Sequence, residues 1–557
     1  MSDLDVLIVG AGPVGLATAL QLARSGARVR LLDRQPGHVS LPRAHVVNGR
    51  TMELFRSWGI ADQVREAGLP IELAQSFGWV TEVRGDEFAL IEYIDRETAE
   101  RYSPETLCSC AQDLVEQALR DAAGVTVEYG HEVVGYRAVA DAGRTVGEVD
   151  VRGPDGVVGT VRARFVVAAD GASSPLRRLA GVQMDRSVPL ARRVHTYFHA
   201  DLTPYTRNRS HILWFIHNVA TQGVLIPLDP RSRWVYGIDL PTGETADDYG
   251  EERFLALIRA AVGDTDLEID QRARMVWTME MAVAERFRVG PLLLVGDAAH
   301  RFPPTGGFGM NSGIQDSHNL AWKLDLVLRG LAEDSLLDTY EAERRPVAVV
   351  NANQSTANAE QQIKADAFLN SPETLALLAA PEGAALRADI AENVATLREQ
   401  FHSLGQQFGH VYRSTAVVDD GSVIPESTIA DYRPTAGPGA RAPHARLRRN
   451  DDPAATVSTV ELVTGAWSLL AVGDPTTWSQ AAKAVPELPV TVWGIHPTEG
   501  DLTDATEAGH WQDLYELADG GAVLIRPDGH VLARWRQPPA DPAEALINAF
   551  SHVLGKA

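Results

Sequence analysis
The first thirty-four residues constrain this chain more than any other stretch. Val6-Leu7-Ile8-Val9 is a short β-rich apolar run, as in a buried parallel strand. It leads into Gly10-Ala11-Gly12-Pro13-Val14-Gly15, after which Leu16, Ala19, Leu20, Leu22 and Ala23 recur at helical spacing. Gly26 stands where a glycine would end that helix, Val29-Arg30-Leu31-Leu32 reads as a second strand, and Asp33 closes it. Strand, glycine turn, helix, strand and acid together predict an α/β unit that binds a dinucleotide. Gly10 permits the tight turn, Gly12 lets a pyrophosphate approach the backbone, and Gly15 lets the helix pack on the strand. Free N–H groups at the helix start, with Pro13 and Val14, face the phosphates. Asp33, followed by Arg34, is placed to accept from ribose hydroxyls.

Composition narrows the function classes. The chain has 557 residues, 45% of them hydrophobic and 22% charged, a balance that excludes a mainly disordered protein. Its 74 acidic and 51 basic residues leave a net charge of −23, which disfavours nucleic acid and anionic membrane surfaces as partners. Two cysteines, Cys108 and Cys110, exclude a disulfide framework, and no metal site is expected. The acidic start and the lack of a long apolar run lead to the expectation of a cytoplasmic protein.

Two later segments specify the dinucleotide. Phe165-Val166-Val167-Ala168-Ala169 reads as a strand and precedes Asp170-Gly171. Pro291-Leu292-Leu293-Leu294-Val295 reads as another and runs into Gly296-Asp297, then the loop Pro303-Pro304-Thr305-Gly306-Gly307-Phe308-Gly309-Met310-Asn311, after which a helical pattern begins. With Gly10, Gly12 and Gly15, these segments resemble the three fingerprints of the class A FAD-dependent aromatic hydroxylases, the p-hydroxybenzoate and phenol hydroxylase family. Arg50-Thr51-Met52-Glu53-Leu54-Phe55 and Glu343-Arg344-Arg345-Pro346 are similar to patterns of its actinobacterial members. Gly309-Met310-Asn311-Ser312-Gly313-Ile314 and Arg441-Ala442-Pro443-His444 resemble the enzymes that tailor aromatic polyketides and indolocarbazoles.

The resemblance implies non-covalent FAD and NADPH or NADH as a transient reductant; there is no second glycine fingerprint to hold the latter. It implies that Asp297 accepts from ribityl hydroxyls, and that Pro304, Gly307, Gly309, Met310 and Asn311 face the flavin. Arg43 and Gln112 match flavin-contacting positions, although Gln112 could instead cap a helix. Asp170 and Gly171 are expected near flavin and nicotinamide, with a helix cap as the alternative for Asp170. His45 and Pro304 are the catalytic candidates; an imidazole of ordinary pKa could take a phenolic proton near neutral pH.

The implied architecture is α/β. A Rossmann-like FAD domain spans 1–184 and 281–410, a β-rich substrate domain is inserted at 185–280 (with 70–105 assignable to either), and a thioredoxin-like C-terminal domain without cysteines spans 430–557. Strands are expected at 194–200, 211–217, 223–228 and 234–240, with Trp214, Phe215, Trp234, Tyr236 and Trp277 as walls for a flat ring system. The C-terminal domain, in a monomer or homodimer, is expected to be dispensable for flavin chemistry. The implied activity is hydroxylation of a bulky polycyclic phenol by O2 through a flavin C4a-hydroperoxide. Epoxidation, Baeyer–Villiger insertion, oxidative ring rearrangement and non-catalytic sequestration of FAD or substrate are the alternatives.

Overall fold
The computed structural model describes residues 4–38, 43–206, 209–241, 243–378, 380–452, 455–496, 502–505 and 510–555. Its first layer is a six-stranded sheet in the order Arg288–Val289, Leu292–Leu294, Phe165–Ala168, Val6–Val9, Val29–Asp33, Val127–Tyr129. All neighbours are parallel except the first pair. The central strands are buried along their whole length, as a sheet covered on both faces requires. Helix Pro13–Arg24 packs against helices Gln112–Ala123 and Phe308–Leu328. Gly10 has φ +104°, and a Cβ there would lie 2.2 Å from the Ala169 carbonyl oxygen. A Cβ on Gly15 would lie 1.8 Å from the Gly10 carbonyl oxygen, so strand and helix meet at a distance only glycine permits.

The second layer is an eight-stranded sheet: His300–Arg301, Asp270–Ala284, Met184–His199, Arg233–Asp239, Gln222–Pro227, Leu213–His217, Ser76–Val80, Glu87–Glu92. Its two longest strands, Met184–His199 and Asp270–Ala284, run side by side. Residues 76–92 supply its two outer strands. The strand at 270–284 is absent from the sequence reading, although Arg272, Arg274 and Glu280 fall on the positions that alternate with Ala273, Met275, Trp277, Met279 and Met281. Helix Asp338–Leu369 and the shorter helices to Leu404–Phe408 close over this sheet. There Phe77 stacks on Phe401 at 3.9 Å and Trp79 on Phe215 at 4.4 Å.

Beyond residue 435 a seven-stranded mixed sheet forms around the parallel pair Trp467–Val472 and Val490–His496. Ala522–Ile525 and Val531–Trp535 make the hairpin around Asp528-Gly529. Asp541 caps the closing helix Pro542–Leu554 by accepting from Ala543 and Glu544 N–H, as the Asp-Pro signal predicts.

This last domain is fastened to the first by buried charge. Arg526 donates to both Glu343 oxygens at 2.6 and 2.8 Å, and also pairs with Asp528. Lys323 holds Glu343 at 2.7 Å, while Asn319 and Trp322 reach Asp528 at 3.2 Å. Arg441 pairs with Glu53, which Arg50 also holds at 2.7 Å. The side chains of Lys323, Glu343 and Arg526 have no solvent exposure. Against the expectation of a dispensable C-terminal domain, removing it would leave Glu343 without Arg526, and Asn319 and Trp322 without Asp528. No described helix is long and apolar enough to cross a membrane.

Candidate active site
A cavity of about 820 Å3 runs from the glycine turn to the inner face of the eight-stranded sheet. Gly10, Gly12, Pro13, Val14, Asp33, Arg34, Arg43, Gln112, Asp170, Gly171, Asp297, Pro304, Gly307, Gly309 and Met310 all line it. At Gly12 a Cβ would meet nothing within 4 Å, so the backbone there is open to an approaching group. Pro13 starts its helix with no side-chain cap on the free N–H groups. Helix Phe308–Leu328 likewise starts uncapped after Gly307 in the left-handed region. Two helix N-termini thus converge on one cavity, a favourable field for anionic groups.

Asp297 sits on the turn Gly296–Ala298, with its side chain exposed into the cavity. Desolvation by the surrounding protein raises its pKa, against the pull of His300, Arg43 and Arg301. A ligand hydroxyl would satisfy the carboxylate. With the open Gly12 backbone, this fits the phosphates and polyol chain of FAD.

Several expected contacts are redirected. Asp33 accepts from Ala11 N at 2.7 Å with one oxygen and from Gln35 N at 2.8 Å with the other, so it holds the glycine turn in shape while lining the cavity. Asp170 accepts from the Ser174 hydroxyl at 2.5 Å and from Leu176 N at 3.0 Å, shaping the start of helix Pro175–Leu179. Gln112 accepts from Ala44 N at 3.2 Å and donates to Glu116 at 2.8 Å. One donor and one acceptor site of its amide are engaged, and one of each remains. Gly15, Gly296 and Asn311 do not line the cavity. Gly15 sits at the strand–helix contact, and a Cβ on Gly296 would meet Val14 at 2.9 Å. The Asn311 amide donates to Val46 O at 2.9 Å and Gly307 O at 2.7 Å and accepts from Asn48 N at 3.0 Å, clamping the loop from behind.

The aromatic walls divide by strand alternation. Leu213 and Phe215 face the cavity, as do Val224, Ile226, Met275, Trp277 and Met279. Trp214, Trp234 and Tyr236, expected as substrate walls, point to the opposite face and are buried with Phe254 and Ile258 of helix Glu251–Val262. They are core: on Leu213–His217 the period of two turns Trp214 away from the cavity that Leu213 and Phe215 line, and no residue of Arg233–Asp239 lines it, whereas Val276, Thr278 and Glu280 line it alongside Met275, Trp277 and Met279.

His45 lines the cavity and meets Ser109 Oγ at 3.3 Å. Burial pushes its imidazole down to about 4, well below the range in which a neutral-pH base works best. Sequence reasoning missed the polar residues Arg193, His195, Gln362, Asp366, Gln400 and Ser403, which also line this space. They come from segments distant in sequence and carry no motif.

Comparison with known proteins agrees with this geometry. Residues 3–355 match the family model described as FAD binding domain, and residues 435–557 match aromatic-ring hydroxylase, C-terminal. Tetracenomycin A2 monooxygenase-dioxygenase of Streptomyces glaucescens is 34% identical over 100% of this chain and 97% of its own. The structure of the flavin-dependent monooxygenase PieE with FAD and substrate has a TM-score of 0.90 at 33% identity, covering 100% of both chains. RebC with bound 7-carboxy-K252c has a TM-score of 0.83 at 31% identity, covering 100% of this chain and 99% of that one. The motif resemblance and the cradle geometry thus converge, and the chain belongs to the FAD-dependent aromatic-ring hydroxylases, a family of flavoprotein monooxygenases.

Proposed function
We propose that this protein uses NADPH or NADH to hydroxylate a bulky polycyclic phenol, an intermediate of aromatic natural-product assembly. The observation that carries the reading is one continuous cavity with the uncapped glycine cradle at one side and Phe77, Phe215, Trp277 and Phe401 at the other. The relatives named for tetracenomycin and for indolocarbazole ligands support a flat, fused substrate of this size.

When bound, FAD supplies the redox chemistry: acceptance of hydride from nicotinamide and activation of O2. The chain's own residues do the rest. The backbone at Gly12 and the helix start at Pro13 hold the diphosphate, and Asp297 orients the polyol chain. The N-terminal N–H groups of helix Phe308–Leu328 favour negative charge on the ring system beside Gly307, Gly309 and Met310. Pro304, whose carbonyl accepts from Gly307 N at 2.9 Å, fixes the loop that presents them. Phe215, Trp277, Met275 and Met279 pack against the substrate ring and exclude water from it. His45, neutral above about pH 5, orients substrate by hydrogen bonding.

The test measures NAD(P)H oxidation by the FAD-loaded protein with polycyclic phenols, and labelled oxygen in the product from 18O2. Stimulated oxidation with one labelled oxygen on the ring is expected. A yellow protein that binds such phenols yet never consumes NAD(P)H would instead be a sequestering protein. Product NMR separates hydroxylation from ring insertion or epoxidation.

A further inference from the structure
The helical wall of the cavity carries a carboxylate that the reading above does not use. Asp366 projects from helix Asp338–Leu369 and lines the cavity. Its Oδ1 accepts from Gln362 Nε2 at 2.9 Å and lies 3.9 Å from His217 Nε2, so Oδ2 is the oxygen that a ligand meets. Gln362 in turn accepts from Gln400 Nε2 at 3.4 Å, and the Gln400 Oε1 atom has no partner among the described residues.

His217 ends the strand whose Leu213 and Phe215 face the cavity, and it shares their side of the sheet. Its Nδ1 lies 2.7 Å from Asn370 Oδ1, which can only accept, so Nδ1 carries the hydrogen and Nε2 presents a lone pair toward Asp366. At 3.9 Å the two do not hydrogen-bond, and Nε2 has no partner among the described residues. The other charged groups facing Asp366 are Arg193 and Asp239, which pair with each other on adjacent strands.

Resting on the polycyclic phenol reading, we propose that Asp366 is the proton acceptor for the substrate hydroxyl, with Gln362 holding Oδ1 so that Oδ2 meets the substrate. The O–H bond of the phenol breaks, an O–H bond to Asp366 forms, and the electron pair stays on the phenolate oxygen. No oxidation accompanies the step. The phenolate enriches the ring for oxygen transfer, and Asp366 returns its proton to the product. Burial raises the Asp366 carboxyl above the usual range, which narrows its gap to a phenol.

The experiment uses FAD-loaded full-length protein and 2-hydroxyanthraquinone, whose visible absorption changes on ionisation, with 2-methoxyanthraquinone as the control for binding alone. The wild type is expected to bind the phenol as its anion about one pH unit below its midpoint in water. In weak buffer with a pH indicator, binding should release no proton, because Asp366 keeps it. Asp366→Asn should bind the probe neutral with an unchanged flavin spectrum, and Asp366→Glu should restore the anion. A proton released to solvent by the wild type, a neutral bound probe, or an equal anion fraction in Asp366→Asn would each overturn the assignment. If neither anthraquinone perturbs the flavin spectrum, the polycyclic substrate reading falls, and this assignment falls with it.

Discussion
Helix Phe308–Leu328 serves two regions that differ in kind. Its N-terminus, at Gly307, Gly309 and Met310, opens on the cavity and presents unpaired backbone groups. Its flank, at Asn319, Trp322 and Lys323, meets the C-terminal domain with every polar group engaged. The cradle leaves backbone groups free for a ligand, and the ionised groups of the junction find their partners within the chain. A site that binds leaves hydrogen-bonding capacity unspent, whereas a junction that holds must satisfy buried charge fully, since an unpaired ion in the interior is so costly.

The largest break of that comparison is removal of the C-terminal domain. A chain ending at Ala430 should fail to fold, as judged by circular dichroism and size exclusion; a folded, flavin-binding product would show that the junction is an accessory contact. Arg526→Met should destabilise by about 3–5 kcal/mol, because it leaves Glu343 and Asp528 buried without their guanidinium. Thermal unfolding measures this, and a loss under about 1 kcal/mol would count against it.

The two faces of the eight-stranded sheet offer a similar contrast. Trp234→Ala should cost about 3–5 kcal/mol of stability through a core cavity. Trp277→Ala should cost far less and should instead weaken binding of a polycyclic phenol. Equal stability losses would mean that strand alternation does not separate core from site here.

At the cradle, Asp297→Ala should leave the fold intact and weaken FAD retention by about 10- to 100-fold, the value of one or two hydrogen bonds to a charged group. Fluorescence titration of the flavin-stripped protein reads this directly. Unaltered affinity would remove Asp297 from the cofactor site.

A further expected effect is the pH response of the junction. Burial holds the His318 and His410 imidazoles near 3, against 6.5 in the unfolded chain. The unfolded state therefore binds more protons below about 6.5, and their contribution is full above that pH and declines as pH falls toward 3. Burial alone would raise Glu343, but Arg526 and Lys323 hold its carboxyl at about 2, so its share is lost between about 4.5 and 2. Urea midpoints should fall steadily from pH 6.5 downward; a flat profile to pH 4 would contradict this assignment.

The cradle was legible in the sequence because its parts are local. Gly10, Gly12, Gly15 and Asp33 lie within one strand–helix–strand unit, and each is demanded by backbone geometry or by a phosphate. Asp297 was legible through its strand and glycine setting, and the cap at Asp541 through the proline after it. The cavity walls were half legible. Aromatic density marked the strands, but Trp214 and Phe215 look alike in sequence and face opposite ways.

The amino-acid sequence by itself determined the α/β class, the dinucleotide turn and the flavin fingerprints, since these follow from contacts within a few residues. Only the tertiary structure decided which aromatic residues line the cavity, that Asp366 and His217 meet across 149 positions, and that Arg526 reaches back to Glu343. The physical reason is common to all three. Such pairings depend on the register of strands and the packing of helices distant in sequence, and a buried charge reveals its partner only once both are brought out of water together.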